Sequence, residues 1–380
     1  MRIALVHDFL REYGGAERVL EVLHEMYPNA PVYTAFLDID GLGPHAERIQ
    51  KWQVKTSWAQ KIPFFSKLYS PLRFLAPLFF ESFDFSGFDV VISSTNAYYA
   101  KGIITQPETV HICYCHTPPR SLYGYQTRMD WKKNLFTRIF GNFMNYFLRK
   151  YDYLAAQRVD FFIANSQTVQ ERIRKFYRRQ SVVVYPPAGL ETSVKVKSEK
   201  SKVQVKNKND TYYLYVGKLA AAKNVNLAVE AVIRLGLNLK IVGKGGEEEN
   251  LKKLANSHIE LLGEVDDEKL ALLYKNCRAV LYPAIDEDFG IVPVEAMRFG
   301  KPVVGIQSGG VAETIIDRKT GFLMKEGTVE NMIKAINDLE KSEIDCKDCI
   351  AQAQKFNKRE FVIKISEIVN DQYRNNNLNR

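Results

Sequence analysis

The chain has 380 residues, 46% hydrophobic and 26% charged, which is enough apolar material to bury two ordinary domain cores. No run of 18 or more apolar residues occurs, so a membrane-spanning helix is not expected. The net charge of +9 favours an anionic partner: a nucleic acid, a phosphorylated small molecule or an anionic membrane surface.

The amino-terminal "MRIALVHDF" reaches His7-Asp8 after an apolar run too short for a signal peptide, so a cytoplasmic protein is expected. "RIALVHD" (2–8) reads as a strand and "GGAERVLEVLHEM" as a helix. Between them, Gly14-Gly15 is a candidate phosphate loop, because glycine lets backbone approach a phosphate closely. It matches neither GxGxxG nor GxxxxGK[ST]. "APVYTA" (30–35), "VVISS" (90–94), "VHICYCH" (110–116), "FFIANS" (161–166) and "SVVVYP" (181–186) continue the strand series. They are continuous apolar runs, as expected of strands buried on both faces of a parallel sheet. "CYCHTPPR" places His116 where a strand ends in a Pro-Pro turn, a position that favours function over a purely structural hydrogen bond.

The polar, Lys-rich "VKVKSEKSKVQVKNKND" (194–210) separates two halves and puts a domain boundary near residue 190. Beyond it, "YYLYVGK" (212–218), "LKIVGK" (239–244), "IELLGEV" (259–265), "AVLYPA" (279–284), "PVVGIQ" (302–307) and "GFLM" (321–324) alternate with helical patterns. This predicts an α/β chain of two doubly wound, Rossmann-like domains. Ligands of such sheets bind outside the carboxyl ends of the strands. The closing "FNKREFVIKISEIVNDQYRNNNLNR" reads as an amphipathic helix fading into disorder.

Several residues at strand ends can handle a phosphorylated ligand. Lys218 follows one strand directly and Lys223 lies five residues on, so together they can neutralise a diphosphate. In "EDFGIVPVE" (287–295), Pro293 suits the first turn of a helix, and Gly290, Ile291 and Val292 lie at its entry. Amide groups there have no intrahelical partner and bind anions. Glu287 and Glu295 then contact sugar and ribose hydroxyls, or both simply complement the helix dipole. The five cysteines, Cys113, Cys115, Cys277, Cys346 and Cys349, are an odd number in a large chain, which argues for free thiols. Cys346-x-x-Cys349 has no second ligand pair at zinc spacing, so no metal or redox role is expected.

With these residues in place, the chain resembles retaining glycosyltransferases of the GT-B fold in family four (glycosyl transferases group 1). The carriers are "EDFGIVPVEAM", "VGKL…KN" (216–224), "IVGKGGE" (241–247), "LLGEVDDEKLALLY" (261–274) and "SGGVAETI…TGFL" (308–323). The amino-terminal half is similar to WbaZ-type bacterial mannosyltransferases through "ALVHDFL…GGAERVLE", "SFDFSGFDVVISS", "HICYCHTPPR" and "RVDFFIANS". The resemblance implies two Rossmann-like domains facing across a cleft. Residues 1–190 would bind the acceptor, 191–357 would bind the nucleotide sugar, and a helix over 358–380 would pack back on the first domain.

It also implies roles. Glu287 contacts the donor sugar on its reacting face, and Glu295 holds the ribose. The amides of Phe289 to Val292 meet the diphosphate, with Lys223 beside it. Lys218 stands where the family most often has Arg, keeping the charge but losing a rigid two-pronged donor. Gly15, next to Gly14, lies against the donor phosphate, and His116 touches the donor sugar near the reacting centre. Gly243 and the stretch 264–266 around Val265 would frame the base. No cofactor or metal is expected, consistent with the lack of a DxD pair flanked by a strand pattern; the nucleotide-diphosphate sugar is a co-substrate. No residue is an obvious covalent nucleophile, which suits a same-face path in which the leaving phosphate takes the acceptor's proton.

Residues 51–80 carry five Lys or Arg and no Asp or Glu, interleaved with Trp, Phe, Tyr and Leu; Pro63, Pro71 and Pro77 rule out one long helix. Residues 128–158 are again basic and aromatic. Both can lie in a lipid headgroup layer, or their aromatics can form the core of the first domain. Expected partners are therefore GDP-mannose as the favoured nucleotide sugar, a lipid-linked oligosaccharide acceptor of surface-polysaccharide assembly such as O-antigen lipopolysaccharide, and an anionic membrane at the inner face of the cytoplasmic membrane. A UDP sugar is the alternative donor. A basic nucleic-acid-binding protein is the alternative of another class, but no recognition helix, RNP motif or zinc module supports it.

Overall fold

The computed structural model of the protein describes residues 1–125, 135–188 and 211–378. The chain forms two compact units. One takes the chain up to Pro187 together with the closing segment from Lys358; the other runs from Ala188 to Asn357. The Lys-rich stretch 194–210 and the boundary expected near residue 190 fall outside the described residues.

The first unit holds β1 (Ile3–His7), β2 (Val32–Thr34), β3 (Val54–Thr56), β4 (Val90–Thr95), β5 (Val110–Cys115), β6 (Phe161–Ala164) and β7 (Ser181–Val183). They form one parallel sheet in the order β3-β2-β1-β4-β5-β6-β7. β1 shows why its sequence is continuously apolar. Leu5 points into one core cluster with Leu20, Leu23 and Ile92, while Ala4 and Val6 point into another with Phe79, Phe80 and Tyr98. β3 was not legible in the sequence: it is three residues, "VKT", partly exposed at the sheet edge, with no apolar run to betray it.

The closing helix, Lys358–Leu378, belongs to the first unit. Phe361, Ile365 and Val369, spaced four apart, are buried in one core cluster with the helix Gly15–Met26 and β5, where Phe361 meets the Tyr114 ring at 5.7 Å. Roughly 1.5–3 kcal/mol of burial per side chain holds it there. The expectation that this tail fades into disorder is corrected: the helix continues through the Asn run to Leu378, where the Asn376 side chain donates to the Glu108 carbonyl at 2.9 Å.

The second unit holds β8 (Tyr212–Val216), β9 (Asn238–Val242), β10 (Ile259–Gly263), β11 (Val280–Tyr282), β12 (Val303–Ile306) and β13 (Gly321–Met324), all expected from the sequence. Their order, β10-β9-β8-β11-β12-β13, is again fully parallel. The winding runs outward one way from β8 and the other way from β11. The crevice at the carboxyl ends of those two strands is where such a sheet takes a ligand. Both units are therefore Rossmann-like α/β domains.

Candidate functional site

The carboxyl end of the second sheet gathers the residues singled out in that half. Lys218 follows β8, and Lys223 ends the short 3-10 turn Ala221–Lys223. Gly243 follows β9, Val265 follows β10, and Glu287 follows β11. The Lys223 ammonium and the Glu287 carboxylate form an ion pair across the crevice between the β8 and β11 loops, and both side chains stay partly accessible. Lys223 also lies 5.8 Å from the centre of the Tyr282 ring. Its neighbour Asn224, at φ +48°, donates to the Pro283 carbonyl at 3.3 Å and ties the two loops together.

Glycines set the spacing of these loops. Gly243, at φ +131°, is so close to the β8 loop that a Cβ would lie 2.0 Å from the Gly217 carbonyl oxygen. Gly309 and Gly310 cradle the acidic turn. A Cβ on Gly309 would sit 2.3 Å from the Glu287 carbonyl oxygen, and one on Gly310 would sit 2.3 Å from the Phe289 Cα. The Gly310 amide donates to that same Glu287 carbonyl at 2.7 Å. Ser308 adds a hydroxyl that accepts from the Asp286 amide and donates to its carboxylate, each at 3.1 Å. The "SGG" motif thus shapes the turn that carries Glu287.

The helix Ile291–Arg298 starts from Gly290 in the left-handed region (φ +87°). Phe289 is buried and packs edge-on against Phe356 at 5.4 Å, which anchors the turn. Ile291 and Val292 are only partly buried, so the first turn of this helix is accessible. Glu295 differs from Glu287: it is 4% exposed and accepts from the Tyr274 hydroxyl at 2.9 Å. Tyr274, in the preceding helix Asp267–Asn276, was not singled out in the sequence, and no local pattern marks it as the partner of Glu295.

The first unit has a polar constellation of its own at the carboxyl ends of β1, β4 and β5. His116 Nε2 lies 2.8 Å from Ser94 Oγ, and Ser94 Oγ lies 3.1 Å from His7 Nδ1. His7 Nε2 is 3.5 Å from a Glu17 carboxylate oxygen, and the other Glu17 oxygen accepts the Gly14 amide at 2.8 Å. All four side chains are buried. Burial, reinforced by His7, pushes the His116 imidazole down to about 3, so the ring is neutral at physiological pH. Asp8, next to His7, accepts from the Asn96, Tyr98 and Ala100 amides at 2.8, 3.0 and 2.9 Å and fixes the loop after β4.

The Gly14 amide donates to the Glu17 carboxylate of the helix Gly15–Met26, the acidic half of a capping arrangement at a glycine N-cap. Gly15 opens that helix. His7, Glu17 and Ser94 were not named from the sequence as site residues. The only signal was the His-Asp pair ending an apolar strand and a Glu three residues past a Gly N-cap. The cysteines are free thiols; Cys349 is buried, with its thiol pushed up to about 12 by that burial.

Comparison with known proteins follows the architecture. Anabaena Alr3699/HepE, solved with UDP and glucose, superposes with a TM-score of 0.70 at 20% identity over 97% of this chain and 99% of that one. The sucrose-phosphate synthase of Thermosynechococcus elongatus superposes with a TM-score of 0.70 at 17% identity, covering 98% and 99%. These likenesses define the class: the fold is that of the GT-B glycosyltransferases.

The model for Glycosyltransferase Family 4 matches residues 13–191, and that for Glycosyl transferases group 1 matches 196–356. The chain belongs to this family of GT-B glycosyltransferases, family four. The O-antigen chain mannosyltransferase C of Escherichia coli is 26% identical over 228 residues, 58% of this chain and 59% of that protein. The human alpha-1,3/1,6-mannosyltransferase ALG2 is 29% identical over 198 residues, 45% and 47% respectively. The matched region is about half the length of these curated relatives.

Proposed function

We propose that the protein is a retaining glycosyltransferase that takes mannose from GDP-mannose and passes it to a lipid-linked glycan of surface-polysaccharide assembly. The observation that carries the reading is the convergence of Lys223, Glu287 and the Gly290–Val292 helix entry at the winding reversal of the second sheet. A diphosphate entering this crevice takes Lys223 and the first-turn amides, which stabilise the charge developing on the leaving group. Glu287, released from Lys223, is then available to a sugar hydroxyl. Glu295, held by Tyr274, is positioned from the buried side of the same helix for the ribose. In the first unit, His116 is offered to a sugar hydroxyl. No metal or other cofactor enters this reading. The mannosyltransferase names of the Escherichia coli and human relatives support the choice of sugar.

The first unit supports placement at an anionic membrane surface. The helix Leu135–Gln157 turns Leu148, Asp152, Ala155 and Ala156 inward and Ile139, Phe140, Phe143, Tyr146, Phe147 and Leu154 outward. Trp58, Phe64, Leu68, Phe74 and Leu78 are exposed as well, among Lys61, Lys67 and Arg73. The aromatics of 51–80 divide between the two readings of the sequence, because Phe65, Phe79 and Phe80 are core. Among the described residues no helix is long and apolar enough to cross a membrane.

Calorimetry without added metal tests the donor assignment, titrating GDP-mannose, UDP-glucose, UDP-galactose and UDP-N-acetylglucosamine into wild type and Glu295→Ala. Binding of GDP-mannose that the variant loses is the expected result. Preference for a UDP sugar would overturn the mannose assignment and leave the fold and crevice standing.

A further inference from the structure

The buried chain Glu17–His7–Ser94–His116 has a direction that its chemistry dictates. Glu17 is acceptor-only as a carboxylate, taking the Gly14 amide on one oxygen and facing His7 Nε2 with the other. Where His7 carries a single ring proton, the carboxylate 3.5 Å from Nε2 draws it to that nitrogen and leaves Nδ1 as an acceptor. Ser94 has one hydroxyl proton, and donates it to His7 Nδ1 at 3.1 Å. Ser94 Oγ must then accept from its other neighbour, so His116 carries its proton on Nε2 at 2.8 Å. The remaining nitrogen of His116, Nδ1, is left with a lone pair.

We propose that Glu17 is a positioning residue that fixes His116 as the Nε2–H tautomer through His7 and Ser94, so that Nδ1 meets a sugar hydroxyl as an acceptor. The first part stands on the distances, the acceptor-only carboxylate of Glu17 and a single ring proton on His7; the sugar contact rests on the function proposed above. The low proton affinity of His116 is consistent with a ring that acts in its neutral form. Fixing the tautomer of an imidazole from behind is a recognised way to decide which nitrogen works.

The relay predicts what an isosteric change does. In Glu17→Gln the Gly14 amide still needs an oxygen, so the side-chain NH₂ turns toward His7 Nε2. That reverses every bond along the chain: His7 is protonated on Nδ1, Ser94 donates to His116 Nε2, and His116 carries its proton on Nδ1. The test is long-range ¹H–¹⁵N correlation on the full chain labelled with ¹⁵N-histidine, with His116 assigned by the peaks missing in His116→Asn. The expected result is Nε2–H in wild type, Nδ1–H in Glu17→Gln and a mixture of the two in Ser94→Ala. Wild type protonated on Nδ1 or on both nitrogens, or the same tautomer in wild type and Glu17→Gln, would overturn the relay. This readout needs no donor sugar. A flipped tautomer in a protein that transfers no sugar would therefore fail the functional reading and leave the relay standing.

Discussion

Lys223 and Glu287 form an ion pair between the turn after β8 and the turn after β11, the two strands at which the second sheet reverses its winding. Sixty-four residues apart in sequence, they meet because both follow neighbouring parallel strands. With both side chains partly solvated, this pair contributes no more than about 1 kcal/mol to stability. Its charges are therefore available to a ligand at little cost to the fold. Lys223→Met is expected to leave the unfolding midpoint nearly unchanged and to lower turnover roughly 10²–10³-fold. Wild-type turnover in a folded Lys223→Met would remove Lys223 from the diphosphate.

Gly309→Ala and Gly310→Ala should act on the same site without touching a charge. Each new methyl would press on backbone of the Glu287–Phe289 turn at 2.3 Å, and backbone cannot yield as a side-chain tip can. The expected cost is about 1–3 kcal/mol in stability, with a larger loss of donor affinity. Thermal denaturation together with donor calorimetry separates the two effects. A Gly310→Ala protein with wild-type affinity would show that the cradle does not shape the site.

The first unit contains a fully buried ion pair, Lys101 with Asp152, which ties the turn after β4 to the helix Leu135–Gln157; Tyr123 donates to the second carboxylate oxygen at 2.8 Å. Removing one partner strands a charge in the core. Asp152→Asn and Lys101→Met are each expected to cost about 3–5 kcal/mol. The double replacement Lys101→Met/Asp152→Leu should cost less than either single change, since no charge is left unpaired. Chemical denaturation of the three variants checks the ordering.

Stability should fall below neutral pH before the carboxylates titrate. Burial holds both His111 and His116 at about 3 in the folded protein, against an ordinary value of 6.5. Between those values the unfolded chain binds protons that the folded one refuses, so acid favours unfolding. Their contribution is fully present above about pH 6.5 and is lost as pH falls toward 3. Each histidine contributes up to about 1.4 kcal/mol per pH unit within that window. Urea midpoints measured at pH 7, 6 and 5 should decline steadily, and a flat profile would show that the two rings are not held neutral.

Membrane contact is expected to depend on the outward face of Leu135–Gln157. Phe143 and Phe147 are more than half exposed (57% and 51%) and stack edge-on at 5.0 Å, so replacing both with Ser should leave the fold intact. Flotation on anionic vesicles should weaken by roughly tenfold or more, and wild-type flotation should itself weaken with salt. Equal flotation of wild type on neutral and anionic vesicles would remove the electrostatic part of the reading.

How far the sequence reached can be followed residue by residue. It determined the strands, because a parallel sheet buried on both faces needs continuous apolar runs such as "IALVH" and "YYLYV", and it placed Lys218, Lys223, Gly243, Val265 and Glu287 at strand ends. Local pattern carried no such signal for β3, a short edge strand, or for the Asn-rich end of the last helix, whose helicity is supported by contacts with distant residues. The sequence left open how the two glutamates of "EDFGIVPVE" differ. The tertiary structure decided it: Glu287 sits on a turn shaped by Gly309 and Gly310 and meets Lys223, whereas the helix carries Glu295 inward to Tyr274. Likewise only the folding of three strands side by side could bring His7, Ser94 and His116 into one line with Glu17, because the partners of a hydrogen bond in a parallel sheet are set by strand order and not by distance along the chain.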